Sequence, residues 1–219
     1  MTISAATVKE LRDATGAGMM DCKRALEEKN GNFEEAIKYL REKGMAKAAK
    51  RASKVAAEGA VASYIHMGGK IGVLVEVNSE TDFVARGDAF QAFVRDICLQ
   101  ICSASPTYIS PDEIPAAALA AEKEVYVNQA LATGKPEAMC EKIAEGKLKK
   151  WYSEVCLLEQ PFVKDDKKSI KDLIADLTSK CGEKIVIRRF VRFQLGEGIE
   201  KEKVDLAAEV AAELAKVEK

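Results

Sequence analysis

The sequence predicts an α+β fold: an N-terminal three-helix bundle, then a core with a small antiparallel sheet, flanking helices and a helical hairpin. Three observations predict it. Apolar residues recur at helical spacing through residues 1–44. The spacing then changes to strict alternation in two neighbouring runs, and again near residue 190. Finally, Thr133-Gly134-Lys135-Pro136 interrupts two long helical patterns, as a helix–helix turn would. A chain of 219 residues, 47 % of them apolar, buries a sizeable core. With aromatics at 6 %, that core is mostly aliphatic.

In chain order, Ser4 can cap a first helix carrying Val8 and Leu11, which Thr15-Gly16-Ala17-Gly18 breaks. A second helix runs through Met20, Cys22, Ala25 and Leu26 to Asn30-Gly31. Asn32, with Glu35 three residues on, opens a third with the stripe Ala36, Ile37, Leu40, and Gly44 suits the position just past its end. Residues 45–55 read as a basic, partly helical linker; Lys43–Lys54 holds five basic residues and no acidic one. A core over 56–195 follows. EGAVASYIHMGGKIGVLVEVN is two strands joined near Gly68-Gly69, with Val61, Ser63 and Ile65 alternating with Ala62, Tyr64 and His66. Phe90, Phe93, Val94, Ile97 and Ile101 mark a helix from about Asp88 to Ser103. SPTYISPDEIP is a loop, and the helical hairpin occupies about 116–155. After QPFVKDD, residues 169–180 are helical, and KIVIRRFVRFQLG is a third strand. Val204, Ala207, Ala208, Ala211 and Leu214 give a C-terminal helical module at 196–219.

Composition excludes several functions. A net charge of −1 argues against a general polyanion binder. No run approaches the length of a membrane span and the N-terminus enters a helical pattern directly, so the expected location is cytoplasmic, with no membrane partner. The six cysteines form no CxxC pair and read as small buried hydrophobes. There is no phosphate loop, no G-x-S-x-G and no HExxH, and His66 is the sole imidazole. The reading is a binding or regulatory protein rather than an enzyme: no catalytic residues, no metal, no cofactor.

One stretch asks for a partner. NSETDFVAR follows the apolar run IGVLVEV, so a strand ends and a helix begins with Asp82 and Phe83 side by side. Locally, Asp82 caps the helix and Phe83 tucks beneath it. Alternatively, the pair is aimed outside the molecule. Met19 and Met20 pose a similar question, because adjacent residues cannot both face the interior from one helix.

Four blocks together resemble the translation elongation factor Ts family: VKELRDATGAGMMDCKRAL, TDFVAR, QPFVKDD and FQLGEGIEKEKVDLAAEVA. They touch both ends and the middle, so the resemblance spans essentially the full length. It implies a guanine-nucleotide exchange factor for the GTPase elongation factor Tu, and a ubiquitin-associated-like fold for the three helices. By the same resemblance, Thr81, Asp82, Phe83 and Val84 act near the partner's Mg²⁺ site. Met19, Met20 and Val163 make an apolar anchoring contact, with Arg12 and Lys23 in the same stretch and His66 at the interface. Lys164 stands where the family has an apolar residue. The chain resembles a short form with a reduced core, in which the His66 and Asp82-Phe83 segments share one hairpin and the turn after it. No specific nucleic acid is implied, and a homodimer is compatible with this reading. The residues alone leave two other classes open: a ribosome- or RNA-associated factor using Lys43–Lys54, and a scaffold that self-associates through the helical hairpin.

Overall fold

In the computed structural model, residues 3–51, 53–134 and 136–199 are described. The C-terminal helix read at Val204–Leu214 lies outside them. The architecture is α+β, and its first three helices form the bundle.

Helix α1, Ala5–Thr15, starts where the Ser4 hydroxyl accepts the Thr7 N–H at 3.1 Å, and ends at Gly16 in the left-handed conformation. Helix α2, Met19–Glu28, follows directly. Helix α3 spans Phe33–Arg51, with Asn32 accepting the Glu35 N–H at 3.1 Å. Leu11, Cys22, Ala25, Leu26, Ala36 and Leu40 close the bundle core.

Here the structure corrects an expectation, because α3 passes through Gly44 and does not end there. Two causes combine. The following residues are rich in Ala and Lys, which favour helix. Gly44 also takes ordinary helical backbone here: a Cβ at that position would lie 3.5 Å from Ser179 Cβ, a normal contact distance, so nothing at this site requires a break. Nearby, Arg41 bonds Asp172 at 2.6 Å, tying bundle to core.

The core begins with β1, Glu58–His66, and β2, Ile71–Ser79, paired antiparallel from Glu58↔Ser79 to His66↔Ile71. Gly59 sits at φ +142°, and a side chain there would collide with the Val77 carbonyl, so only glycine fits this crossing. A single-turn helix α4, Asp82–Ala85, leads into α5, Asp88–Ala104. The helical hairpin is α6, Ala116–Leu131, and α7, Glu137–Val155. Its base is stitched to the preceding loop, since the Thr107 and Tyr108 N–H groups both donate to the Val155 carbonyl. QPFVKDD then forms a small ladder that its charge-rich sequence had not suggested: β3, Pro161–Phe162, against β4, Asp165–Ser169. Helix α8, Ile170–Cys181, opens with a capping box between Ser169 and Asp172. Strand β5, Val186–Gln194, pairs antiparallel with β2, giving sheet order β1-β2-β5.

One face of this sheet, carrying Val73, Val75, Val77 and Ile187, packs on Phe90, Val94, Ile97 and Ile101 of α5, with Leu157, Ile170 and Leu177 completing the core. All six cysteines are free thiols, and five are buried. Burial raises the pKa of Cys22, Cys98, Cys156 and Cys181, with Cys156 reaching about 11, so these thiols stay protonated and unreactive.

Candidate partner-binding site

The Thr81–Val84 corner forms because β2 must stop at Ser79 and α5 must begin at Asp88. Thr81, in extended conformation, is the cap: its hydroxyl accepts the Val84 N–H at 3.4 Å. This corrects the assignment of the cap to Asp82. Asp82 is the first helical residue, so its carboxylate cannot reach back and instead pairs with Arg86 at 2.7 Å. Ala85 faces the core, whereas Phe83 is 88 % exposed. A helical turn cannot bury both directions, and here the alanine is buried and the phenylalanine projects. The idea that Phe83 tucks beneath the helix is therefore excluded.

Two carboxylates hold this corner, one from across the fold and one adjacent to it. Glu183, in the loop before β5, accepts the Thr81 N–H at 3.0 Å and the Thr81 hydroxyl at 2.7 Å. Glu80 accepts the Lys184 N–H at 2.7 Å and bonds Arg51 at 2.8 and 2.9 Å. The Lys184 N–H, then Arg51, lower the Glu80 pKa.

Met19 and Met20 occupy the first two positions of α2 and are 42 % and 66 % exposed, so neither enters the bundle core. Lys23 pairs loosely with Glu27 at 3.8 Å, one turn along. Arg12 is exposed in the last turn of α1. These four residues belong to the bundle.

Val163 is 47 % exposed on the tight turn between β3 and β4. Its N–H donates to Gln100 Oε1 at 2.9 Å. Gln100, fully buried on α5, donates to Gln160 Oε1 and to the Pro161 carbonyl, both at 3.1 Å. Gln160 in turn donates to the Glu154 carbonyl at 2.9 Å. Both buried amides are thus satisfied, and the pair sets the backbone that presents Val163. Lys164, next to it on the turn, bonds Asp96 at 2.6 Å.

His66 stands apart from the corner. It is exposed at the end of β1, with Tyr64 Oη 2.8 Å from its Nδ1. The β1–β2 register puts His66 beside Ile71 and Glu58 beside Ser79, so His66 and the Thr81–Val84 corner lie at opposite ends of the hairpin. They are separated by roughly 25 Å at the usual rise of a strand. A partner touching both must do so with different elements.

Sequence reasoning missed Glu183, Glu80, Gln100 and Gln160. Glu183 lies 102 residues from Thr81, and no local pattern signals such a contact. The two glutamines sat within helical or loop patterns that gave no sign of burial.

The fold and these features define an α+β protein whose exposed apolar side chains stand on ordered corners. Among the described residues, no group of His, Cys, Asp and Glu is placed to hold a metal ion. No described helix is long and apolar enough to cross a membrane. The family model described as Elongation factor TS matches residues 2–197. Elongation factor Ts of Geobacter sulfurreducens is 58 % identical over 97 % of this chain and 98 % of its own length. Those of Desulforamulus reducens and Heliobacterium modesticaldum are 55 % and 54 % identical, covering 98 % and 100 % of their own lengths. The chain belongs to the elongation factor Ts family.

Proposed function

We propose that this chain is a guanine-nucleotide exchange factor for elongation factor Tu, acting in the cytoplasm during polypeptide elongation and making or breaking no covalent bond itself. Membership of the family supports the general role. The observation that carries the mechanism is Phe83, whose ring folding leaves 88 % exposed on a capped, braced turn.

Exchange by binding is a linkage. A factor that weakens GDP binding is itself weakened by GDP in the same ratio. A 10⁴-fold effect needs about 5.5 kcal/mol of differential stabilisation. Burying one phenylalanine supplies about 1.5–3 kcal/mol. Phe83 therefore acts as a wedge, while Met19, Met20 and Val163 anchor the factor and supply the remainder. Arg12, Lys23 and His66 extend the contact. Thr81 caps the wedge turn, half-buried Val84 supports it, and Asp82 brings a carboxylate toward the partner's Mg²⁺ site. Mg²⁺ demands near-octahedral ligands, so a small displacement of its surroundings costs affinity. The metal and nucleotide belong to the partner.

A second contact has its own support. The sheet face away from the core carries Val61, Ile65, Leu74, Val191 and Phe193, all exposed. Their register places them on one surface. We infer that a second copy stacks on this apolar face to give a two-fold homodimer. Leu74→Lys then halves the mass seen by sedimentation equilibrium; an unchanged mass removes this contact.

The RNA alternative loses part of its basis, because the Arg51 guanidinium in the basic segment is committed to Glu80. A pull-down from cytosol decides between the classes. Capture of a single GTPase whose bound fluorescent GDP is then released faster supports exchange. Capture of ribosomal RNA with strong salt dependence supports the alternative.

A further inference from the structure

A single helical turn has no stability of its own. Helix α4 is four residues long, yet it must hold Phe83 against a partner. The bonds around it show how. Glu183 grips Thr81 twice, at its N–H and its hydroxyl. The Ser79 hydroxyl donates to the Thr81 carbonyl at 2.9 Å. Glu80, one residue before the cap, is held by the Lys184 N–H and by Arg51. Arg51 ends α3, a continuous helix of 19 residues whose first turns belong to the bundle. The turn bearing Phe83 is thus braced from the loop before β5 on one side and from the bundle's own helix on the other.

Resting on the exchange reading above, we infer that Glu183 and the Arg51–Glu80 pair are positioning residues for nucleotide release. They touch neither nucleotide nor metal. They hold Thr81 so that Phe83 points outward before the partner arrives, and they keep that direction constant relative to Met19 and Met20. A wedge ordered in advance pays no ordering cost at the moment it acts. Losing the brace therefore lowers the rate of release from the complex, while the affinity set by the anchoring residues stays.

The test is stopped-flow release of a fluorescent GDP from the partner GTPase, measured against the concentration of full-length chain. Glu183→Ala is expected to lower the maximal rate about 3- to 10-fold, with the half-saturating concentration unchanged within two-fold. Glu183→Gln restores the rate, because its amide still accepts the Thr81 N–H and donates to the Thr81 hydroxyl. Glu183→Ala slows the Phe83→Ala background less than it slows the parent, since the brace acts mainly through the ring. Arg51→Ala, at a side chain outside both cores, gives the same split and serves if Glu183→Ala fails to fold. The brace is overturned if both alanine variants release GDP at the parent rate, if Glu183→Gln is as slow as Glu183→Ala, or if Glu183→Ala slows the Phe83→Ala background as much as the parent. If Phe83→Ala itself releases GDP at the parent rate, the wedge falls first and the brace with it. A slow Phe83→Ala beside fast Glu183→Ala and Arg51→Ala overturns the brace alone.

Discussion

Met20 and Gln100 show how differently single side chains serve one surface. Met20 is two-thirds exposed and stands at the start of α2, where nothing in the bundle needs it. As an anchor it sets affinity rather than the speed of release. Met20→Ala should raise the half-saturating concentration in an exchange titration about 10-fold, with the maximal rate little changed. Gln100 is invisible from outside but bonds Gln160, Pro161 and Val163 at once. Gln100→Leu strands those partners, which should cost about 3 kcal/mol. Calorimetry should then show a fall in Tm of roughly 6–12 °C. At this scale the sequence was legible where chemistry is local. The oddity of an acid beside a phenylalanine, and of two adjacent methionines, could be read directly. Which residue capped the turn could not, because Thr81 and Asp82 are both good caps and the choice depends on where helical backbone begins. Nor could Glu183, whose role exists only once β5 has joined β2.

Among the elements, helices were read well from apolar spacing: α5 and α8 lie within a residue or two of their expected limits. Glycine misled once. Gly44 reads as a stop signal, but it lies inside a continuous helix. The two readings make opposite predictions. Because an added Cβ meets Ser179 at ordinary contact distance, Gly44→Ala should stabilise the fold by about 1 kcal/mol through helix propensity, raising Tm by roughly 2–4 °C. Gly59→Ala, at φ +142° with Asn78 Cα 2.7 Å from the added carbon, should instead disrupt the β1–β2 pairing. Loss of near-native melting in circular dichroism would show it. The β3–β4 ladder escaped notice because one strand has two residues and the other is mostly charged, so neither carries an alternating pattern.

For the whole molecule, the α+β class followed from the change of period between bundle and core, while the brace between them did not, since it is built from contacts remote in sequence. The same contacts predict behaviour in acid. Glu76 is held by Arg188 and Arg189, which face it together at a register shift in the β2–β5 ladder, and its pKa falls from 4.5 to about 2. Glu80 is lowered by the Lys184 N–H and Arg51. Burial acts to raise Asp172, but bonds from Arg41 and Ser169 outweigh it and the result is also lowered. Each group binds its proton less readily when folded, so its stabilisation is complete above its unfolded value and is lost as pH falls through its lowered folded value, which for Glu76 is about 2. The urea midpoint should drop between pH 6 and pH 3, and Glu76→Gln should flatten the lower part of that fall; an unchanged midpoint would contradict this. The central claim is that a projecting ring, held out by its own fold, opens the partner's nucleotide site. Its most direct test is the maximal rate of fluorescent GDP release with Phe83→Ala. The account predicts a rate lowered about 10- to 100-fold with the melting curve of the free chain unchanged; release at the parent rate would contradict it.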